Sequence, residues 1–166
     1  EINIFEIYEK KFFEGNQVYL IKKNYITKYR NDTIFTKEPE TVDWLKKMEP
    51  NTIFWDIGAN VGLYSILSSL SNSRLVVSFE PSFFNLQILS KNIFKNNLSE
   101  KIIIVPLCLD DISKTEMFKL KSIEEGGALS NFGNSNFKPV FEYKTISTTL
   151  NEFFEKNEDY RPDYIK

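Results

Sequence analysis

With 166 residues, 42% hydrophobic and 27% charged, the chain is long enough for one domain with a buried core, to which fifteen Phe and eight Tyr bring large apolar surfaces. A formal net charge of −2 and a pI near 5.4 exclude a global attraction to nucleic acid or anionic membrane, and the cluster Lys22, Lys23, Lys28, Arg30 reads as a solvated face. The absence of histidine excludes Ser-His and Cys-His catalysis and imidazole metal sites, so no metal is expected, and a single cysteine excludes an intrachain disulfide. Cys108 lies in the apolar stretch Ile102-Ile-Ile-Val-Pro-Leu-Cys-Leu109 and reads as a buried structural thiol rather than a nucleophile. Apolar runs fall well short of the roughly 18 residues of a membrane span. The start, Glu1-Ile-Asn-Ile-Phe-Glu6, is no secretory signal and carries no initiating Met. A cytoplasmic location and a piece of a longer protein are the expectations.

In chain order, residues 1–15 suit a short helix with Ile4, Ile7 and Phe12 on one side. Gln17-Val-Tyr-Leu-Ile21 and Thr33-Ile-Phe-Thr36 read as strands. Pro39 opens a helix over 40–48, with Val42, Leu45 and Met48 in one stripe and Pro50 ending it. Residues 1–49 are thus expected to form an N-terminal appendage, and 50–166 the main domain. There, strand 52–57 leads to helix 61–70, strand 74–79 to helix 83–96 with Leu86, Leu89 and Ile93 at helical spacing, and then to strand 101–107. Apolar runs alternating with amphipathic helices predict an α/β fold: a mostly parallel, Rossmann-like sheet in three αβα layers. After Asp110-Asp111 the rhythm changes. Strands near 115–120 and 140–147 flank a glycine-bearing loop over 123–135, which reads as a substrate lid or as a mobile surface loop. A short helix over 149–155 has Thr149 as N-cap and Glu152 at N3, and 161–166 reads as a turn feeding a strand.

The chemistry concentrates in Thr52-Ile-Phe-Trp-Asp-Ile-Gly-Ala-Asn-Val-Gly-Leu-Tyr64, a buried strand, an acidic residue at its carboxyl end and a glycine turn opening a helix. Gly58 and Gly62 bracket Ala59-Asn60-Val61. Glycine allows a tight turn or close backbone approach, and the following helix offers free N–H groups and a positive dipole end. Gly-x-x-x-Gly alone would equally suit helix packing; between strand and helix it points to a cofactor. The run lacks the Gly-Lys-Ser/Thr of a P-loop and the third glycine of a dinucleotide turn. Asp56 before the turn would repel a pyrophosphate, whereas it could accept from an ammonium or organise the loop N–H groups. Asn60 could brace the turn or contact a carboxylate. The pattern fits a nucleoside cofactor with a cationic group and no phosphate.

The second strand, Val76-Val-Ser-Phe-Glu-Pro-Ser-Phe83, ends in Glu80, whose carboxylate can accept from two ribose hydroxyls or else cap the next helix. Pro81 pre-sets the turn, and Asn85 either contacts ribose or ties the loop down. Leu109 and Asp110, after the third strand, are placed to flank an adenine, Asp110 serving equally as a plain turn residue. Tyr64 either shapes the pocket for the reacting group or packs in the core.

These segments resemble the FkbM family of S-adenosylmethionine-dependent methyltransferases. The matching pieces are Asp56-Ile-Gly-Ala-Asn-Val-Gly-Leu-Tyr-Ser65, Phe79-Glu-Pro-Ser-Phe-Phe-Asn-Leu-Gln-Ile-Leu89 with Asn92 and Asn96-Asn-Leu98, Val105-Pro-Leu-Cys-Leu-Asp110, Thr148-Thr-Leu-Asn-Glu-Phe-Phe154 and Pro162-Asp-Tyr-Ile-Lys166. The resemblance implies that Asp56, Gly58, Asn60 and Gly62 hold the methionine end of S-adenosylmethionine; Ala59, Tyr64, Pro81 and Asn85 complete the cofactor-binding candidates from the reading of the residues. It places ribose on Glu80 and adenine by Leu109 and Asp110. It implies methyl transfer to an oxygen of a sugar or other small natural product. Two departures stand out: Asn151 occupies a position usually acidic in the family, and the family pattern continues past Lys166. The sheet is therefore expected to be incomplete at its fourth core strand, with a second copy of the chain covering the edge, another form of self-association, or marginal stability.

Without histidine, the proton acceptor falls to Asp, Glu, Lys or Tyr; Asp110, Asp111 and the 123–135 loop are the candidates for the acceptor side, and no catalytic residue is assigned. Two other readings remain: a Rossmann-type dinucleotide oxidoreductase, against which the missing third glycine and Asp56 speak, and a non-catalytic, oligomerising fragment of the methyltransferase fold.

Overall fold

The structure is a computed structural model that describes residues 6–166. It opens with an antiparallel hairpin, β1 (Tyr8–Phe13) and β2 (Asn16–Ile21), in which Tyr8 faces Ile21 and Phe13 faces Asn16. The two connecting residues, Glu14 and Gly15, both have positive φ, 47° and 79°, as a two-residue hairpin turn requires. This overturns the helix expected over 1–15, of which residues 1–5 lie outside the described part. Its apolar spacing is not used: Ile7 and Phe12 are exposed while Phe13 is buried.

Helix α1 (Tyr25–Asp32) follows, capped by Asn24, whose side chain accepts from the Thr27 N–H while the Thr27 hydroxyl accepts from the Asn24 N–H. Thr33–Thr36, expected as a strand, is instead a turn closing this helix, with the Thr36 and Lys37 N–H groups both donating to the Thr33 carbonyl. Helix α2 (Pro39–Lys47) has Pro39 in its first turn and buries Val42 and Leu45.

Four strands build the central parallel sheet: β3 (Thr52–Ile57), β4 (Ser73–Phe79), β5 (Ile102–Val105) and β10 (Tyr164–Ile165), in the order β10-β3-β4-β5. Helix α3 (Leu63–Leu70) joins β3 to β4, and α4 (Phe83–Lys95) joins β4 to β5. Strand β5 is shorter than expected because Pro106 has no N–H to continue the ladder. The chain then leaves for a second sheet, in which β6 (Cys108–Leu109) pairs with β9 (Phe141–Thr148), β9 with β7 (Thr115–Leu120), and β7 with β8 (Asn131–Phe132). Helix α5 (Leu150–Lys156) comes before β10; Thr149 caps it by accepting from the Glu152 N–H at 3.1 Å.

Alternation along β3 divides the core. Phe54 enters one cluster with Leu45, Ile66, Leu67, Val76 and Leu89 from α2, α3, β4 and α4. Ile53 and Trp55 enter the other with Val77, Phe79 and Phe153 of α5, where the Phe153 ring stands edge-on to Trp55 at 5.4 Å and to Phe79 at 4.9 Å. The sheet is thus covered by helices on both faces, the arrangement that near-continuous apolar strands demand. Phe13, Val18, Leu20 and Ile21 of the hairpin share the first cluster. Two asparagines of the α4 region dock the hairpin: Asn92 accepts from the Ile21 N–H and donates to the Val61 carbonyl, and Asn96 accepts from and donates to the Tyr19 backbone.

Candidate functional site

The turn after β3 and the end of β4 interlock. The N–H groups of Gly58 and Ala59 both donate to the Phe79 carbonyl at 2.9 Å, and the Asn60 N–H donates to Glu80 Oε2 at 2.7 Å. The Val61 N–H donates to Asn60 Oδ1 and the Gly62 N–H to the Ala59 carbonyl. Asn60 braces the turn, and the N–H groups of residues 58–62 are spoken for by the turn itself and by the end of β4. The next two, of Leu63 and Tyr64, belong to residues that line a cavity described below. Gly62, at φ 84°, cannot be replaced without strain: an added Cβ would lie 2.3 Å from Leu89 Cδ1.

Asp56 lies beneath this turn rather than in it. It is only 2% exposed and accepts from the Ser65 hydroxyl at 2.6 Å, which in turn accepts from the Ser78 hydroxyl at 2.8 Å. Burial pushes its carboxyl above the ordinary value, with the Ser65 hydrogen bond opposing that.

Glu80 is 5% exposed. Its Oε1 accepts from the Ser82 N–H at 2.8 Å and from Asn85 Nδ2 at 3.4 Å, beside the Asn60 bond to Oε2. Burial raises its carboxyl, and the two backbone donors pull the other way. An ionised carboxylate has about four lone-pair sites, so one remains on Oε2 for a ligand donor, and displacing the long Asn85 bond frees another.

Two cavities flank the turn. One, of about 180 Å³, is bounded by Gly58, Ala59, Tyr64, Arg30, Glu38 and Lys166. The other, of about 240 Å³, is bounded by Glu80, Pro81, Asn85, Phe118, Gly127 and Leu129, with Gly58 and Asn60 on its wall. Tyr64 both lines the first cavity and packs against the first core cluster. Burial and the Glu38 carboxylate raise its phenol well above the ordinary value.

Gly58, Asn60, Glu80, Pro81 and Asn85 therefore meet in one place, with Ala59 and Tyr64 adjoining. Leu109 and Asp110 line neither cavity: Leu109 packs on the α5 side of the sheet, and Asp110 pairs with Lys114 at 3.0 Å, which lowers its carboxyl. Cys108 is buried, and burial pushes its thiol up to about 12. Tyr143 donates to the Pro81 carbonyl at 2.6 Å and so ties the second sheet to the site.

Sequence reasoning missed the charged wall of the first cavity. Arg30 comes from α1, Lys37 and Glu38 from the α1–α2 connection, and Lys166 follows β10. Lys166 Nζ lies 3.5 Å from Glu38 and 4.5 Å from the Tyr64 ring centre. Burial lowers Arg30, and the nearby Glu80 charge offsets part of that. The loop after β7 also lies on the site. The Gly127 carbonyl accepts from Asn60 Nδ2 at 2.7 Å and Asn85 Nδ2 at 3.2 Å, and the Gly126 N–H donates to Asn85 Oδ1 at 2.9 Å.

No protein-family model and no curated protein matches the chain. Solved structures similar to it include an S-adenosylmethionine-dependent methyltransferase from Agrobacterium tumefaciens, 11% identical with a TM-score of 0.45 over 63% of this chain and 34% of that one. A second is TYW2 of M. jannaschii in complex with AdoMet, 18% identical with a TM-score of 0.42 over 61% and 43%. A third is the C-terminal domain of precorrin-6Y C5,15-methyltransferase from Rhodobacter capsulatus, 25% identical with a TM-score of 0.39 over 44% and 40%. The chain spans less than half the length of each of these structures. Among the described residues no helix is long and apolar enough to cross a membrane.

Proposed function

We propose that the chain binds S-adenosylmethionine across the carboxyl ends of β3 and β4 and forms the donor side of a methyltransferase. The observation that carries this reading is Glu80: a buried carboxylate at a parallel strand end, fixed by two backbone donors, with acceptor capacity left toward a cavity. That suits the hydroxyls of a ribose. The N–H groups of residues 58–62 are taken up by the turn and by the end of β4, so they offer no cradle for a pyrophosphate, and the Glu80 carboxylate disfavours a phosphorylated cofactor. Arg30, Lys37 and Lys166 bring positive charge to the first cavity and Glu38 brings negative charge, a set that matches the carboxylate and ammonium of an amino acid. Glu80 and Asn85 would hold ribose, and the first cavity the methionine end. When bound, the cofactor supplies an electrophilic methyl group; the protein's part is to orient an acceptor in line with it and keep water out. The finer assignment, O-methylation of a sugar or small natural product as in the FkbM family, is supported by the motif resemblance.

Calorimetric titration tests the reading. Adenosylhomocysteine binds and NAD does not. Glu80→Gln weakens adenosylhomocysteine about 100-fold, the worth of two charge-assisted hydrogen bonds at about 1.5 kcal/mol each. Tight NAD binding with no adenosylhomocysteine binding would overturn it.

A further inference from the structure

The two cavities are separated by very little. They share Gly58, Asn60 and Ala128 as lining, and among these shared residues Asn60 is hydrogen-bonded to the loop at Gly127. At about 180 and 240 Å³ each is smaller than the roughly 300–1,000 Å³ of a typical ligand pocket, whereas the two joined fall inside that range. A nucleoside with an amino-acid tail needs both at once.

That loop is held by polar tethers rather than by packing. Asn60 and Asn85 hold the Gly127 carbonyl, Asn85 also accepts from the Gly126 N–H, and Arg30 Nε donates to the Gly126 carbonyl at 2.7 Å. At the outer end Asn24 Nδ2 donates to the Glu125 carbonyl at 3.0 Å and to its carboxylate at 3.2 Å. Of residues 123–130 only Gly126 is buried, and Ile123 and Leu129 are exposed. A segment with so little buried apolar surface opens at low cost. Gly126, at φ 85°, provides the flexible joint.

The Gly127 carbonyl oxygen lies between two side-chain amides, one of which also reaches Glu80. A ribose hydroxyl oxygen presents the same acceptor chemistry to the same groups. We infer that residues 124–128 form a latch whose Gly127 carbonyl competes with the ribose for Asn60 and Asn85, so that the nucleoside enters only as the latch lifts and the two cavities merge. This rests on the nucleoside reading of the site proposed above. Arg30 couples the two halves: its guanidinium borders the first cavity while its Nε holds the latch, so a carboxylate arriving in that cavity draws Arg30 from Gly126. The latch thereby favours a nucleoside that carries an amino-acid end over a bare one.

Asn24→Ser tests the latch without touching either cavity. Serine is as good an N-cap as asparagine, so α1 keeps its start, while both bonds to Glu125 are lost. In the ligand-free protein the Gly126 amide should exchange about 10-fold faster while the α4 amides keep their rates. Adenosylhomocysteine should bind about three- to tenfold tighter than to the parent, the worth of a released hydrogen bond. Glu125→Ala, which removes only the side-chain contact, moves both readouts the same way by less. Faster exchange with unchanged or weaker affinity overturns the competition while leaving the cofactor site intact, and unchanged exchange overturns the tether. Binding by neither protein rejects the nucleoside site and the competition with it.

Discussion

Two segments meet over Glu80, the 58–62 turn and the 124–128 loop, and they are held in opposite ways. The turn is locked by packing: Ala59, Val61 and Leu63 are buried, and Gly62 sits against Leu89 with no room for a Cβ. The loop is held by hydrogen bonds to side chains 41 to 101 residues away in sequence, with little apolar surface beneath it. Packing terms vanish only when the whole core opens, whereas tethers break one at a time. The same carboxylate thus has a rigid wall on one side and a releasable one on the other, which is the combination a binding site for a large cofactor needs.

The largest effect should come from breaking the packed side. Gly62→Ala forces a non-glycine residue to φ 84° and drives a methyl into the fully buried Leu89 side chain. The left-handed backbone costs about 1–2 kcal/mol and overpacking about 1–3 more, so a loss of about 2–5 kcal/mol is expected. Gly58→Ala is the control: its φ is 73°, yet nothing lies within 4 Å of an added Cβ, so only the backbone cost of about 1–2 kcal/mol applies. Urea unfolding of both variants decides the matter; equal losses would show that the turn is not locked by Leu89.

The same change on the tethered side should cost less and show first in the loop itself. At Gly126, φ is 85° and an added Cβ would lie 3.1 Å from Ile26 Cγ2. Gly126→Ala strains the loop by about 1–2 kcal/mol, but the loop can release that strain by opening. Global stability should fall by no more than that strain, about 1–2 kcal/mol, while the amides of residues 126 and 127 exchange about 10-fold faster. A global loss as large as that of Gly62→Ala would mean the loop is part of the core after all.

The difference between the two segments also explains what could be read from the sequence. Strands β3 and β4 were legible because both of their faces are buried, which writes an unbroken apolar run followed by an acidic residue and a turn. Gly58, Asn60 and Glu80 come with them onto the cavity walls, whereas Asp56 and Gly62, on the same strand and turn, border neither cavity. Helix α1 was not legible because the residues it buries are Thr27 and Asn31, so it carries no apolar stripe; its signal was the Asn24-x-x-Thr27 cap. Strand β2 matches the strand expected over 17–21, but the apolar spacing of β1 suits a helix, and the Glu14-Gly15 pair at positive φ decides for a turn. The charged wall of the first cavity and the 124–128 tethers depend on tertiary placement alone. Arg30, Glu38 and Lys166 come from three separate places in the chain, and no local spacing brings them together.

The smallest predicted effect is a pH dependence, and it separates Asp56, beneath the turn, from Glu80, at the edge of the second cavity. Asp56 sits under the packed turn, and burial raises its carboxyl above the ordinary value of 3.8. A group whose folded value is raised holds its proton more tightly in the folded state. Its contribution is therefore fully present below about pH 3.8 and is lost as pH rises through the higher folded value. Glu80, raised from 4.5, adds a loss of the same sign. The lowered carboxylates Glu6, Asp32 and Asp110 act oppositely, stabilising above their ordinary values, but they pair with exposed lysines and count for little. Asp56→Asn keeps an oxygen for the Ser65 hydroxyl to donate to and removes the charge. Its thermal midpoint should fall less steeply than the parent's as pH is raised from about 4 to 8, with stability near pH 7 within about 1 kcal/mol of the parent. Adenosylhomocysteine affinity should barely move, because Asp56 lies beneath the turn and borders neither cavity. An unchanged pH slope would show that Asp56 is ionised in the folded state at no cost, and a large loss of cofactor affinity would show that it reaches the ligand through the turn.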